Sequence, residues 1–327
     1  MSLTERLRQF IEGGGGDFDA LAREAYAAQL TASPALAAMF GDERPTRWDE
    51  LPAVPVALFK ELDLGPQPPL PGDVTFRTSG TTGQVRGAHR ARDTRLYDAG
   101  TVRQARARVP ALPERIVSLC PDEADSSLAH MLRRLGAVEP CFRDGAVSTD
   151  AWARLQVPGP VFLATTAFAL DALFALPGAA RLGSDSVVMV TGGFKGRRVR
   201  LDAPGLYQAI PERLGNPRVV GEYGMTELSS QLWTDPVAAG ELPGTFVAPP
   251  WLRVYAADPL TGRRVDGEGV LRFVDLANAG TVLAIETQDV GRVEPHADGD
   301  RVTLVGRLEG AELRGCSLRA EAALGRV

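Results

Sequence analysis

Phe76–Gly87 reads FRTSGTTGQVRG, and the interpretation of this stretch decides the rest of the chain. Two hydroxyl-bearing pairs, Thr78-Ser79 and Thr81-Thr82, each precede a glycine, Gly80 and Gly83. Glycine turns the backbone without a Cβ penalty, successive N–H groups in such a turn form a concave nest for an anion, and hydroxyls add donors. The stretch follows the β-type run Val74-Thr75-Phe76, and Arg86 lies just downstream. A phosphate cradle is the natural reading; a solvated polar loop is the plain alternative. The Gly-Lys-Ser/Thr ending of a Walker loop is missing, so a different class of nucleotide-handling protein is indicated.

A length of 327 residues suits two domains or one large α/β core. Hydrophobic content of 44% against 24% charged residues is ordinary for a globular protein and allows a sizeable core. The net charge of −5 and the lack of any basic run set nucleic-acid binding aside. The N-terminus MSLTERLRQFIEGGGG has no long apolar region of a signal peptide, and no run reaches the roughly 20 apolar residues of a membrane span, so a cytoplasmic protein is expected. Cys120, Cys141 and Cys316 have no metal-type spacing, and no disulfide framework is expected.

Leu3, Leu7, Phe10 and Ile11 fall at helical spacing, the four glycines Gly13 to Gly16 stop that helix, and a second helix is expected over Phe18–Leu30. Trp48–Leu64, with Pro52 and Pro55, reads as a structural connector. Beyond the glycine-rich loop, the short apolar runs Arg115–Cys120, Pro160–Ala164 and Ser186–Val190 alternate with helical patterns, one starting at Ser126; buried parallel strands with crossovers follow. From about Pro250 the texture changes to strand-like pieces, Leu252–Tyr255, Val270–Val274, Val282–Ile285 and Arg301–Val305, with turn signals at Asp266-Gly267 and Asp298-Gly299. Antiparallel hairpins are expected there. The fold class is α/β.

Three further places carry chemistry. Arg218-Val219-Val220-Gly221-Glu222-Tyr223-Gly224-Met225-Thr226-Glu227 runs from an apolar strand end into a glycine-bracketed aromatic and then a hydroxyl beside a carboxylate. An oxygen ligand is what a hard Mg²⁺ ion prefers; a capped helix start is the plain reading of the same letters. Val187–Val190 end in Thr191-Gly192-Gly193-Phe194-Lys195, where paired glycines suit either close approach by a flat ligand or a simple tight turn. His130 lies beside the apolar helical face of Leu128, Met131, Leu132 and Leu135, where a histidine is commonly a packed or surface residue.

The letters Thr78 to Gly83 resemble in full the TSGTTG signature of the acyl-adenylate-forming enzymes, with Val85 and Arg86 where Pro and Lys are usual; arginine also serves phosphate, with bidentate geometry. Tyr223 to Glu227 resemble that superfamily's Tyr-Gly-x-Thr-Glu block. The resemblance implies the large-domain fold of these enzymes, mixed sheets with flanking helices plus a β-rich distal part. It also implies ATP and Mg²⁺ as cofactors. Thr78, Ser79, Gly80, Thr81, Thr82, Gly83 and Arg86 then hold phosphate, and Gly192, Gly193, Lys195, Glu222, Tyr223, Gly224 and Met225 border the nucleotide. Tyr223 lies against adenine, Thr226 contacts the α-phosphate, and Glu227 holds the metal. His130 borders the carboxylate substrate. Glu286–Arg292 resembles the Thr-Gly-Asp block with Gln288 in place of glycine, which implies that Asp289 binds the ribose hydroxyls; Val305–Glu309 resembles the Gly-Arg-x-Asp segment, so Arg307 assists ribose or phosphate and Glu309 replaces the hinge aspartate.

Only 18 residues follow Glu309, so the small C-terminal domain of ordinary acyl-CoA synthetases is expected to be largely absent. The expected division is an adenylation core over 1–305, with N-terminal helices to about 45 and a β-rich part over about 250–305, and a remnant over 306–327. That ending, Glu312-Leu313-Arg314-Gly315-Cys316-Ser317-Leu318, resembles the acyl-protein synthetase (LuxE-like) family of bacterial bioluminescence systems, as do Ser126–Met131 and Thr191–Gly196. The resemblance implies activation of a carboxylic acid, a fatty acid foremost, and transfer of the acyl group to Cys316, with an acyl-accepting reductase or carrier protein as partner. A thiol is intrinsically nucleophilic, and Arg314 nearby favours its thiolate. A small buried hydrophobe is the other fate of a free cysteine, and is expected of Cys120 and Cys141. Two alternatives stand beside this reading. One is a stand-alone enzyme handing the adenylate to coenzyme A, a carrier protein or an amine; the other is a non-catalytic nucleotide-binding subunit.

Overall fold

The computed structural model describes residues 1–79, 85–192 and 201–308, and within them the chain divides into two units. One comprises residues 1–100, 225–230 and the chain from 247 onward; the other comprises 101–224 and 231–246.

The second unit is the α/β half. Its strands stand in the order Ala137–Pro140, Arg115–Ser118, Phe162–Thr166, Val187–Thr191, Arg218–Tyr223 and Leu232–Thr234. The first five are parallel and the last antiparallel. Arg115–Ser118, Phe162–Thr166 and Val187–Thr191 fall on the continuous apolar runs that sequence reading assigned to buried strands, and Val187–Thr191 is buried along its whole length. A strand covered on both faces has no polar side to alternate with. Val117, Leu163, Val188, Val190 and Val219 pack in one core with Leu170, Leu173 and Phe174 of the helix Ala167–Ala175 and with Leu206, Ile210 and Leu214. Burying a large aliphatic or aromatic side chain contributes roughly 1.5–3 kcal/mol each. Side-chain caps start the helices where the strands release the chain. The Ser126 hydroxyl accepts from Ala129 N (3.2 Å) and the Thr166 hydroxyl from Ala169 N (3.1 Å), satisfying donors that a helix start leaves unpaired.

The first unit carries an antiparallel meander, Leu252–Ala257, Glu268–Asp275, Ala284–Glu294 and Arg301–Arg307, each strand pairing with the next. The helices Leu3–Ile11 and Phe18–Ala32 form as their periodicity predicts, capped by Ser2 and Asp17. A third helix, Pro34–Phe40, follows directly, with Ser33 as its cap and Pro34 in its first turn. Gln29 anchors the second helix, its Oε1 accepting from Leu283 N at 2.8 Å. Trp48 links the helices to the sheet, with Phe18 on one side (6.0 Å between ring centres) and Tyr255 on the other (5.8 Å). The Trp48–Leu64 connector is more built than its sequence suggested. Leu51, Val54, Leu58, Phe59 and Leu64 are buried, and Val54–Pro55 pairs in parallel with Ile285 and Glu286.

One expectation is corrected. The piece read as Val282–Ile285 forms a strand from Ala284 to Glu294, so Asp289 sits within an eleven-residue strand. Val290 pairs with both Val270 and Gly306, holding the backbone extended, and Gln288 offers none of the freedom a glycine would bring to a turn. The irregularity survives as register shifts between Val270 and Arg272 and between Val290 and Gly291.

Candidate functional site

In the first unit, the strands Val74–Arg77 and Ala88–Ala91 form an antiparallel hairpin, and the glycine-rich stretch is its connection. The ends of that connection are tied together. Thr78 N donates to Gly87 O (2.9 Å), Gly87 N donates to the Thr78 hydroxyl (2.8 Å), and Arg86 Nε donates to Thr78 O (2.6 Å). Arg86 therefore braces the base of the loop, half-buried, with its Nη2 also 3.3 Å from Arg77 O. Gly80, Thr81, Thr82 and Gly83 lie outside the described residues, as do Gly193, Lys195, Glu309 and Cys316.

The strand that returns from this loop carries His89, which sequence reading missed. His89 is buried (5% exposed), with Phe59 edge-on at 5.8 Å between ring centres. Its Nδ1 lies 2.8 Å from Thr226 O and its Nε2 2.7 Å from the Thr281 hydroxyl. A carbonyl only accepts, so Nδ1 bears the proton. Burial pushes the imidazole down to about 4, which keeps it neutral, and Nε2 accepts from Thr281.

The segment Met225–Ser230 is held at further points. Asn278 Nδ2 donates to Glu227 O (2.8 Å), and Asn278 Oδ1 accepts from Ser229 N (2.9 Å). Asp275 accepts from Ser230 N (2.9 Å) and from its hydroxyl (2.7 Å), and Trp251 Nε1 donates to that hydroxyl at 2.9 Å. Asp275 is fully buried, which lifts its carboxyl to about 6 against the pull of these donors. The Thr226 hydroxyl lies 3.5 Å from Arg77 O, so the hydroxyl–carboxylate pair stands beside the base of the glycine-rich loop. Glu227 is buried (7% exposed). No group of three His, Cys, Asp or Glu side chains that could hold a metal occurs among the described residues. One carboxylate fits an Mg²⁺ ion that arrives on a nucleotide, since that ion takes most of its ligands from phosphates and water.

Asp289 and Arg307 are cross-strand partners in the same unit, with Arg307 Nε 3.9 Å from Asp289 Oδ1. Arg307 Nη2 donates to Gln288 Oε1 at 3.1 Å, and Leu308 N donates to Gln288 O at 2.8 Å. Arg307 is largely exposed, so this pair contributes little to stability and leaves the guanidinium reachable from solvent.

In the second unit the candidates gather at the carboxyl ends of parallel strands, where open α/β sheets bind ligands. Thr191 and Glu222 are direct neighbours on adjacent strands, and the Thr191 hydroxyl donates to Glu222 Oε2. Desolvation pushes the Glu222 carboxyl up to about 7, partly offset by that bond. Tyr223, half-buried, packs against Phe246 at 6.0 Å between ring centres. Gly192 takes φ +63°, a conformation that suits glycine, and both it and Gly224 are exposed. His130 is half-buried on the helix Ser127–Leu135, whose Ala129, Met131 and Leu132 are buried. Cys120 and Cys141 are buried free thiols as expected, pushed upward by burial, Cys120 to about 12. A hollow of about 410 Å³ lined by Leu155, Pro158, Ala180, Leu182 and Asp185 lies at the opposite, starting ends of these strands and carries none of the motifs.

His89, Asn278 and Asp275 escaped sequence reading because their partners are distant in the chain, 137 residues from His89 to Thr226. The one available signal was polar residues in otherwise β-type runs.

No helix among the described residues is long and apolar enough to cross a membrane. No protein-family model matches the chain, and no curated protein matches it in sequence. Solved structures do match. An ATP-bound RpMatB–BxBclM chimera aligns over 71% of this chain and 47% of its own, at 16% identity and a TM-score of 0.50. The amide bond synthetase McbA from Marinactinospora thermotolerans aligns over 82% and 55%, at 18% identity and 0.50. A long-chain-fatty-acid–CoA ligase from Archaeoglobus fulgidus aligns over 72% and 51%, at 15% identity and 0.52. The chain thus spans about half the length of the solved structures it matches. At such identity the likeness is one of architecture, and the chain carries the mixed α/β fold of the large domain of adenylate-forming enzymes.

Proposed function

We propose that this chain activates a carboxylic acid with ATP, forming an acyl-adenylate and pyrophosphate, and passes the acyl group to a thiol. The observation that supports this reading most is the hydrogen bond from His89 to Thr226. It joins the strand leaving the glycine-rich loop to the Thr226-Glu227 pair, two motif blocks that a phosphate chain with its metal ion would need together.

The carboxylate oxygen of the acid attacks the α-phosphorus, the bond from that phosphorus to the bridging oxygen breaks, and pyrophosphate leaves. Backbone N–H groups and hydroxyls of Thr78 to Gly83, with Arg86, stabilise its charge. Thr226 donates to the α-phosphate, and Glu227 contributes a carboxylate oxygen to Mg²⁺, which neutralises phosphate charge when bound. Tyr223, with Gly192, Gly193, Glu222, Gly224 and Met225, borders the base. Asp289 accepts from the ribose hydroxyls beside Arg307, and His130 orients the acid. In the second half-reaction a thiolate attacks the acyl carbonyl and AMP leaves; Cys316 is the proposed acceptor, a fatty acid the favoured substrate, and a reductase or carrier protein the next holder of the acyl group.

Carboxylate-dependent exchange of labelled pyrophosphate into ATP, run over fatty and aromatic acids and followed by intact mass, tests the reading. Exchange with a long-chain acid, a mass gain removed by hydroxylamine, and loss of that gain but not of exchange in Cys316→Ala are expected. Exchange without an adduct would favour a stand-alone adenylating enzyme. Glu227→Ala is expected to lose exchange, and no exchange by the parent with any acid would leave a nucleotide-binding subunit.

A further inference from the structure

We propose that His89 is a positioning residue for the Thr226-Glu227 pair, acting through the backbone and not by touching substrate; the inference rests on the adenylating reading above. The carbonyls of Thr226 and Glu227 belong to the two peptide planes on either side of the Glu227 Cα. His89 Nδ1–H holds the first at 2.8 Å and Asn278 Nδ2 holds the second at 2.8 Å. With both planes held, the direction in which the Glu227 side chain leaves the backbone is set.

His89 is itself held on three sides. Thr281 donates to Nε2 at 2.7 Å, the Phe59 ring packs edge-on, and the strand Ala88–Ala91 pairs Phe76 with His89. The neighbouring Arg90 fixes that strand from its other face through Asp63 (2.8 Å) and Asp73 (2.6 Å). Thr281 Oγ1 also lies 3.1 Å from Asn278 O, but the bare Nε2 of the Nδ1–H tautomer can only accept, and at 2.7 Å it takes the hydroxyl proton. The relay runs Thr281 hydroxyl, His89 ring, Thr226 carbonyl, and a neutral Nδ1–H imidazole is the one form that completes it. Because His89 stands two residues past Gly87, the same ring sets the loop base and the carboxylate relative to each other.

Three substitutions separate this role from simple packing. Asparagine places an amide donor where the ring has Nδ1; glutamine places its amide near the Nε2 end, and alanine has neither. The inference expects His89→Asn to stay within roughly threefold of the parent in kcat for pyrophosphate exchange, and His89→Gln and His89→Ala to fall by roughly tenfold to a hundredfold, with KM for the acid little changed. Melting temperature is followed alongside, and Mg-ATP affinity by calorimetry is expected to fall in the same order. Equal loss in all three, tracking the melting temperature, or equal retention in all three would overturn the positioning role. If the parent binds Mg-ATP but exchanges pyrophosphate with no acid, the adenylating reading fails and the order of Mg-ATP affinities alone decides His89. In the parent, ¹⁵N resonances of the ring are expected to report the neutral Nδ1–H tautomer, and an Nε2–H tautomer would overturn the relay.

Discussion

Glu222 is a carboxylate in a place built for apolar side chains. It lies 4% exposed near the end of Arg218–Tyr223, with the Thr191 hydroxyl as its donor, and titrates at about 7 where an ordinary glutamate has 4.5. Between those values the folded chain keeps a proton that the unfolded chain has released, so stability falls as pH rises through the window, by about 3 kcal/mol in all. Asp275, raised to about 6 from 3.8, acts in the same direction. His89, lowered to about 4 from 6.5, acts oppositely and removes stability as pH falls below 6.5. Glu222→Gln isolates the first contribution. Its stability relative to the parent, measured by denaturant titration, is expected to improve by about 2–3 kcal/mol from pH 4.5 to pH 8. A difference that stays constant with pH would sink this account.

The hairpin Ala284–Glu294 and Arg301–Arg307 shows the same dependence on close surroundings at the level of an element, since it presents Asp289 and Arg307 side by side. Its turn passes through Gly299 at φ +131°, where an added Cβ would sit 1.9 Å from Ala248 O. Asp300 next to it stitches the turn to the strand Leu252–Ala257, its Oδ2 accepting from Val254 N at 2.9 Å. Gly299→Ala combines backbone strain with a clash against main chain that cannot step aside, and is expected to cost at least about 2 kcal/mol in thermal or denaturant melts. Gly280→Ala, where a Cβ meets nothing within 4 Å, is the control and should remain within about 0.5 kcal/mol. Equal effects would refute the geometric argument. At this scale the sequence was informative where pattern is local. The buried strands announced themselves by continuous apolar runs and the meander by its turns, while the extension of one strand through Asp289 depended on its neighbours' register.

For the molecule as a whole, the proposed nucleotide binding is what would connect the motifs. A ligand that binds only the folded chain stabilises it by about 2.7 kcal/mol at a hundredfold excess over its Kd. Mg-ATP is therefore expected to raise the melting temperature by several degrees, with a smaller rise when magnesium is chelated and in Glu227→Ala. An unchanged melting temperature at millimolar Mg-ATP would count against the nucleotide reading. The sequence by itself determined the α/β class, the first two helices, the strands at Arg115, Phe162 and Val187, the glycine-rich loop and the Tyr223–Glu227 block. Those features rest on helical and strand periodicities, turn chemistry and short motifs, each of which involves residues close together in the chain. Tertiary structure alone decided that Met225–Ser230 belongs with the N-terminal and C-terminal segments, that His89, Asn278 and Asp275 hold it there, and that Asp289 faces Arg307 within a continuous strand. Hydrogen bonds between residues 45, 51 and 137 positions apart depend on the path of the whole chain, and no local pattern of letters encodes which distant carbonyl a buried imidazole will meet.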